Sequence, residues 1–327
     1  MDCFYLAWLY WDPPREAFTI PFLGLSVAWY GILFAGGFIA GYFILLPLLT
    51  SALLKRMAPE LLPASSTSLS VNSIKKLFPE QYEKVHRRSI QIADRLTWFL
   101  IIGTIIGARL GHVFFYDWPY YEAHPWEILM IRKGGLASHG GTLGVLISLL
   151  LFFRWNRKHM VGLSLISLFD LLAIPTSFAV FCIRLGNFFN QEILGYETHL
   201  PWAVIFGHPA EAVRPLPRHP TQLYEGAVYL ATFCLLYILW KIKGKTLKPG
   251  TLSGIFFILV FGSRFFIEFL KLPQSMVINE SFLQMGQYLS IPFIFLGIAL
   301  LVYPKKQKSE DKDSEGGNSE FRSQNSE

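Results

Sequence analysis

Seven apolar stretches dominate this sequence, and each is near the length at which a helix crosses a lipid bilayer. They occupy residues 25–54, 96–116, 139–153, 163–183, 222–240, 252–270 and 285–303. About 20 apolar residues span the hydrocarbon core, and 52% of the chain is hydrophobic. We therefore predict an all-α, polytopic membrane protein with seven transmembrane helices. The third stretch is short and starts among glycines, so we expect irregular backbone lining a cavity there.

The basic residues alternate between successive loops. Most of the 29 Lys and Arg residues follow the first, third, fifth and seventh stretches. Because Lys and Arg are retained on the cytoplasmic side during insertion, we predict an outside N-terminus and a cytoplasmic C-terminus. The net charge of +6 is explained by this topology and by anionic lipid at the inner leaflet. It gives no reason to propose a nucleic acid as partner.

Two segments look appended to the membrane part. Residues 56–95 are predicted to form a cytoplasmic insert, with a Ser-rich stretch followed by a mixed-charge helix. Residues 305–327 are rich in Ser, Glu, Lys and Gly, a composition typical of disorder. We therefore divide the chain into a transmembrane domain over 1–304, which carries the insert, and a disordered cytoplasmic tail over 305–327.

The segment Arg184–Gly195 places charged and amide side chains directly after the uncharged run of the fourth stretch. It contains Arg184, Asn187 and Glu192. Ionisable residues at this depth are costly and usually mark a site of binding or chemistry. The structural alternative is that Arg184 snorkels to the membrane interface.

Other polar residues converge on the same outer side of the predicted bundle. His139 and Gly140 stand in a glycine-rich block at the start of the third stretch, where His139 is either functional or a helix cap. Glu225 lies in the first turn of the fifth stretch and suits the positive end of a helix dipole. Arg264 and Glu268 are spaced (i, i+4), so we expect them to form an internal ion pair.

Taken together, these arginines have few acidic neighbours in the sequence. They predict a cationic pocket at the depth of the lipid headgroups, for which phosphate is the natural ligand. The three cysteines, Cys3, Cys182 and Cys234, have no metal-binding or redox spacing. We therefore predict no metal site and inert cysteines.

The order of these motifs along the chain resembles that of the prolipoprotein diacylglyceryl transferases, bacterial inner-membrane enzymes that begin lipoprotein maturation. The matching blocks are Trp29–Gly31, Gly107–Gly111, Gly134–Gly144, Asp170, Arg184–Gly195, His219–Glu225, Arg264–Glu268 and Met285–Gln287. Three features depart from the family pattern. The insert is longer, Lys271 stands where arginine is more usual, and Cys182-Ile183 replaces small residues before Arg184.

The resemblance implies transfer of the diacylglyceryl group of phosphatidylglycerol to the lipobox cysteine of a preprolipoprotein. The reaction forms a thioether and releases glycerol phosphate, without a metal or organic cofactor. The transmembrane domain is then the catalytic domain, with its active site toward the periplasmic leaflet of the inner membrane.

The same resemblance implies roles for individual residues. His139 would be the base for the thiol, and Arg184 and Arg264 would bind the phosphate and stabilise the leaving group. The other residues assigned to substrate binding or to holding these arginines are Tyr30, Gly140, Asn187, Glu192, Glu225 and Glu268.

Two other classes of function use the same arginines. A lipid or anion transporter would recognise the anionic group without breaking a bond, but seven spans do not divide into two equal repeats. A phospholipid headgroup hydrolase would use water in place of the thiol. An intramembrane protease would need a serine, aspartate-pair or metal constellation, and the sequence offers none with convincing placement.

Overall fold

Helices form most of the structure. The computed structural model describes residues 8–61, 69–131, 135, 137–244, 246–273 and 283–302, without the side chains of residues 23, 58–60, 138 and 139. The predicted tail, 305–327, lies outside the described residues. The helices are α1 (Trp29–Leu61), α2 (Val71–Leu77), α3 (Pro79–Phe115), α4 (Trp118–Ala123), α5 (Ser138–Asn156), α6 (Leu165–Phe189), α7 (Thr221–Lys243), α8 (Thr251–Ile267) and α9 (Met285–Val302).

Six helices in the described part are long and apolar enough to cross a membrane. They are α1, α3, α6, α7, α8 and α9. The prediction of a mainly helical, multi-pass membrane protein is therefore confirmed. Helix α5 has 19 residues and is not among these six, so the count of seven spans stays a prediction.

Short strands lie beside the end of the bundle where α1 begins and α6 ends, and an all-α prediction misses them. They are β1 (Leu9–Trp11), β2 (Glu16–Ile20), β3 (Leu25–Ala28), β4 (Val204–Phe206) and β5 (Pro217–Arg218). Strand β1 runs parallel to β4, β4 pairs antiparallel with β5, and β2 and β3 form an antiparallel pair. Residues 25–28 are therefore strand and not the start of the first span. Leu9 pairs with Val204, a partner so distant in sequence that no local pattern could reveal the sheet.

The first two spanning helices continue into the predicted insert. Helix α1 runs to Leu61 and α3 begins at Pro79. The 37 residues of α3 correspond to about 55 Å at the α-helical rise, which is well beyond the thickness of the hydrocarbon core. Met57, Ile74 and Val85 from this region are buried in the same apolar cluster as the bundle. The mixed-charge helix of the insert is thus continuous with the second span.

Helix α6 is the central element of the bundle, since it packs against α1, α7 and α8. Asp170 near its start accepts hydrogen bonds from the backbone N–H groups of Gly250 (2.7 Å) and Ser253 (2.8 Å). These are donors of the first turn of α8, which has no intrahelical acceptor for them. Asp170 therefore fixes the start of α8 at the end of the bundle opposite to Arg184.

Helices α3 and α5 meet along a seam of small residues. A Cβ atom on Gly107 would lie 2.3 Å from the carbonyl oxygen of Gly140, and one on Gly144 would lie 2.0 Å from that of Gly103. Small residues allow such close backbone approach between membrane helices. The third stretch was expected to start in irregular backbone that lines a cavity, but α5 is helical from Ser138 and its glycines pack against the backbone of α3.

Substitution Gly107→Ala is expected to push α3 and α5 apart and to destabilise the protein by about 1–3 kcal/mol, the usual cost of overpacking. Thermal unfolding in nanodiscs measures this effect. Gly36→Ala is the matched control, because Gly36 lies in α1 with no atom within 4 Å of the added Cβ. Equal melting temperatures for the two variants would contradict the close packing of the seam.

Candidate functional site

Five helices bring the predicted polar residues together at one end of the bundle, which we call the site end. Helices α1, α7 and α9 begin there, and α6 and α8 end there. Tyr30 lies in the first turn of α1, Arg184 near the end of α6 and Glu225 near the start of α7. The alternating direction of the chain through the bundle therefore collects residues that are far apart in sequence.

A buried ionic network forms the centre of this end. Glu225 is fully buried, and its Oε2 lies 2.8 Å from Nε of Arg184. Its Oε1 lies 2.8 Å from Nζ of Lys271, which is also 3.0 Å from Oε2 of Glu268. A buried charge is tolerated when it is paired. The network thus joins α6, α7 and the segment that follows α8.

A second set of contacts orients Arg184 from its other side. Its Nη1 donates to Oδ1 of Asn187 at 3.0 Å, and Nδ2 of Asn187 donates to Oε1 of Glu192 at 2.6 Å. The guanidinium also lies over the ring of Tyr229, with 5.9 Å from Cζ to the ring centroid. Arg184 is therefore held in one direction by groups on both sides, and it is only 8% exposed.

The predicted ion pair between Arg264 and Glu268 is wrong. Glu268 bonds to Lys271 instead, because α8 ends at Ile267 and the chain then turns so that Lys271 reaches back between two carboxylates. Within the described part of the chain, Arg264 has no hydrogen-bond partner, although it interacts electrostatically with Glu225. The donors of Arg264 are thus left without an acceptor among the described residues.

Two glycines allow the network to pack closely. A Cβ atom on Gly286 would lie 2.1 Å from Oε1 of Glu268, and one on Gly186 would lie 2.8 Å from Cδ2 of Tyr30. Gly286 at the start of α9 therefore leaves room for the carboxyl group, and Tyr30 rests on the backbone of α6. The sequence pattern included Gly286 in a matching block but gave it no role.

His139 and Gly140 occupy the first turn of α5. The side chain of His139 lies outside the described residues, so its predicted role as a base stays a prediction. Gly140 contacts the backbone of Gly107 and Gly111. This contact gives Gly140 a packing role, and a role in substrate binding is again a prediction.

Arg109 does not add a free charge to the site. Its guanidinium donates to the backbone carbonyl oxygens of Ile128 at 2.8 Å and Gly135 at 3.1 Å, and also to that of Glu127. It lies over the ring of Tyr121, with 4.9 Å from Cζ to the ring centroid. Arg109 therefore anchors the segment that leads to the glycine-rich block.

The described residues contain no group of three or more His, Cys, Asp and Glu side chains that could hold a metal ion. The polar side chains that the contacts above bring together at the site end are cations, carboxylates and amides. Such a set can bind an anionic group and stabilise charge that develops on it.

Comparison with known proteins identifies the family to which these motifs belong. A family model described as prolipoprotein diacylglyceryl transferase matches residues 60–303. The chain belongs to the prolipoprotein diacylglyceryl transferase family. Its curated relatives include the phosphatidylglycerol-prolipoprotein diacylglyceryl transferase of Protochlamydia amoebophila, which is 42% identical over 91% of this chain and 95% of the relative. The proteins of the same name from Tolumonas auensis and Chlamydia pneumoniae are 38% and 36% identical, over 92% and 91% of this chain and 99% and 96% of the relatives.

Lys271 is the main member of the network that sequence reasoning missed. It was noted only as a departure from the family pattern, yet its ammonium group lies between two buried carboxylates. Lysine offers a compact charge with rotatable donors and no rigid fork, which suits a position between two acceptors on different elements. Its position three residues after Glu268 is the signal in the sequence that could have indicated this ion pair.

Substitution Lys271→Met is expected to destabilise the protein by about 3–5 kcal/mol, because breaking a buried pair leaves uncompensated charge. Lys271→Arg keeps the charge and is expected to retain most of the stability. Thermal unfolding of both variants measures the difference. Lys241→Met, at an exposed lysine at the opposite end of α7, is the control, and equal stability of Lys271→Met and this control would contradict the network.

Proposed function

We propose that this protein transfers the diacylglyceryl group of phosphatidylglycerol to the lipobox cysteine of preprolipoproteins. The names of its relatives give the reaction. The observation that carries the proposal is that family motifs from different helices meet in one buried network at the site end. No single motif contains all members of this network, because they come from different helices.

The reaction replaces a carbon–oxygen bond with a carbon–sulfur bond and transfers one proton. The cysteine sulfur attacks the glycerol carbon that bears the phosphate ester, a carbon–sulfur bond forms, and the carbon–oxygen bond to phosphate breaks. The thiol proton passes to a base, and glycerol phosphate leaves with both electrons of the broken bond. Because a free thiol has a pKa of about 8.5, a positioned base raises the fraction of reactive thiolate.

We assign the role of the base to His139, and the binding of the phosphate to Arg264 and Arg184. Arg264 keeps free donors, which supports direct binding of the phosphate by this residue. Arg184 is fixed in direction by Asn187 and Glu225, and fixed donors stabilise developing charge without reorganisation. Asn187, Glu192, Glu225 and Glu268 hold the cations, and Tyr30 borders the lipid or the peptide.

Lipid substrate would reach this site from within the membrane. An apolar groove of about 740 Å³ runs along the seam of α3 and α5, between Phe99 and Phe115 on α3 and between Gly140 and Trp155 on α5. Its apolar lining suits acyl chains. The finer topology belongs to the same proposal: seven spans, the N-terminus and the site end on the periplasmic side of the bacterial inner membrane, and a cytoplasmic C-terminus.

The reaction is tested with purified protein, phosphatidylglycerol vesicles and a synthetic lipobox peptide. Mass spectrometry is expected to show a diacylglyceryl adduct that requires the peptide cysteine. His139→Gln is expected to bind lipid normally and to lower turnover by about 10²–10⁴-fold, the usual contribution of a general base. Lipid binding without an adduct on the peptide would point to a carrier, and water-dependent release of glycerol phosphate would point to a hydrolase. Unchanged turnover of His139→Gln would remove this residue from the mechanism.

Phosphate recognition is tested by lipid titration of arginine variants. Arg264→Ala is expected to weaken binding of phosphatidylglycerol by about 10–100-fold, because a hydrogen bond to a charged group contributes about 1.5–3 kcal/mol. Arg184→Ala is expected to lower turnover as well, since it removes the oriented donor. Arg214→Ala, at an exposed arginine of the loop between β4 and β5, is the matched control. A titration curve of Arg264→Ala equal to that of this control would exclude Arg264 from the phosphate site.

A further inference from the structure

The turn that carries Glu192 has an unusual backbone. Gln191 has a φ of 53° and Ile193 a φ of 63°, so both residues lie in the left-handed region. This region is uncommon for residues other than glycine, and for a β-branched residue such as Ile193 it is an outlier. Backbone strain of this kind persists only where the surroundings determine the conformation, and it concentrates at functional sites.

Every backbone N–H and C=O group of residues 191–193 is hydrogen-bonded, as expected if the surroundings impose the conformation. The oxygens of Glu192 and Ile193 accept from the side chains of Gln222 at 2.6 Å and Thr221 at 2.7 Å, both on α7. The remaining backbone partners are Phe188 for N–H of Gln191, Ala210 for C=O of Gln191 and Asn187 for N–H of Glu192. The partner of the Ile193 N–H group is a carboxylate.

That carboxylate belongs to Glu211, in the loop between β4 and β5. Its Oε1 accepts from the backbone N–H of Ile193 at 2.6 Å and of Leu194 at 3.3 Å. Charge-assisted hydrogen bonds of this type are about twice as strong as neutral ones. The second oxygen, Oε2, is buried and accepts no hydrogen bond within the described residues. An unsatisfied buried acceptor is destabilising. The carboxylate therefore loses solvation at Oε2 while its Oε1 binds the turn.

The side chain of Gln191 fastens the same turn to the N-terminal strand region. It donates to Oδ1 of Asp12 at 3.0 Å and accepts from the backbone N–H of His208 at 2.8 Å. Hydrogen bonds from His208 and then from Gln191 hold the pKa of Asp12 below its ordinary value of 3.8. The turn is thus clamped at two residues. Asp12 binds the side chain of Gln191, and Glu211 binds the backbone N–H of Ile193.

The clamped turn controls the direction of one functional side chain. Glu192 accepts from Asn187, and Asn187 in turn accepts from Arg184. A change of φ at Ile193 would swing Glu192 away from Asn187 and remove the support of Arg184. The path from Glu211 to the guanidinium therefore consists of the turn and two hydrogen bonds.

We propose that Glu211 is a positioning residue for the transferase reaction, holding the left-handed turn at Gln191–Ile193 so that Glu192 and Asn187 orient Arg184. The inference rests on the proposed function. Glu211 lies within the matched range 60–303 but outside the sequence blocks that resemble the family, so those blocks give it no role. Its action is through the backbone and not through contact with the substrate.

The test compares Glu211→Ala with a double variant that also carries Ile193→Gly. Without the carboxylate, Ile193 is expected to leave the left-handed region, and kcat is expected to fall about 100-fold, as for a small displacement of a catalytic group. The KM for phosphatidylglycerol is expected to change little, because Arg264 still binds the phosphate. Glycine adopts positive φ readily, so the double variant is expected to regain most of kcat.

Ala212→Gly in the Glu211→Ala background is the matched control, because Ala212 also has a positive φ, of 52°, but lies outside the turn. Equal recovery by glycine at 212 and at 193 would overturn the proposal, as would a normal kcat for Glu211→Ala. If Glu211→Ala does not fold, the double variant decides. A folded and active double variant supports the clamp, and a double variant that is unfolded or inactive overturns it.

Hydrogen exchange of the Ile193 and Leu194 amides tests the clamp without any reaction. Exchange is expected to be faster in Glu211→Ala than in the wild-type protein, and unchanged protection would overturn the proposal. If the wild-type protein forms no adduct on the lipobox peptide, the proposed function fails, while the exchange measurement still decides whether Glu211 holds the turn.

Discussion

The fully buried carboxylate of Glu225, shared between Arg184 and Lys271, is the interaction on which the site end depends. In a medium of low dielectric constant an isolated charge is very costly, so each of these groups requires its partners. The requirement fixes the relative positions of α6, α7 and the end of α8. The same pairing gives Glu225 and Glu268 the ammonium group of Lys271 as a partner, so the donors of Arg264 have no acceptor within the described residues.

Backbone packing supports this arrangement in two different ways. Along α3 and α5, glycines such as Gly107 and Gly144 bring two helices into direct contact and so hold the start of α5 beside the bundle. Around Ile193, side chains from α7 and from the loop between β4 and β5 impose a left-handed turn that the residue itself disfavours. The glycines allow the two helices to approach closely without steric overlap. The turn at Ile193 is locally strained, and it fixes the direction of Glu192.

Sequence reasoning performed well where the signal was local. The bounds expected for the fifth to seventh spans lie within a few residues of α7, α8 and α9, because hydropathy and helix ends are read from neighbouring residues. It failed where the position of a helix end decides which partner a side chain has. The Arg264–Glu268 pair was expected from helical spacing, but the helix ends between the two residues and Lys271 takes the carboxylate.

The sequence by itself determined the class of the protein, the approximate spans and the family, since apolar length and motif order are properties of the linear chain. Only the tertiary structure decided which cations are paired, that the glycines of α5 meet α3, and that Glu211 braces the turn carrying Glu192. The physical reason is that ion pairing and backbone strain depend on distances of a few ångströms between residues far apart in the chain. Such distances are set when the helices pack together.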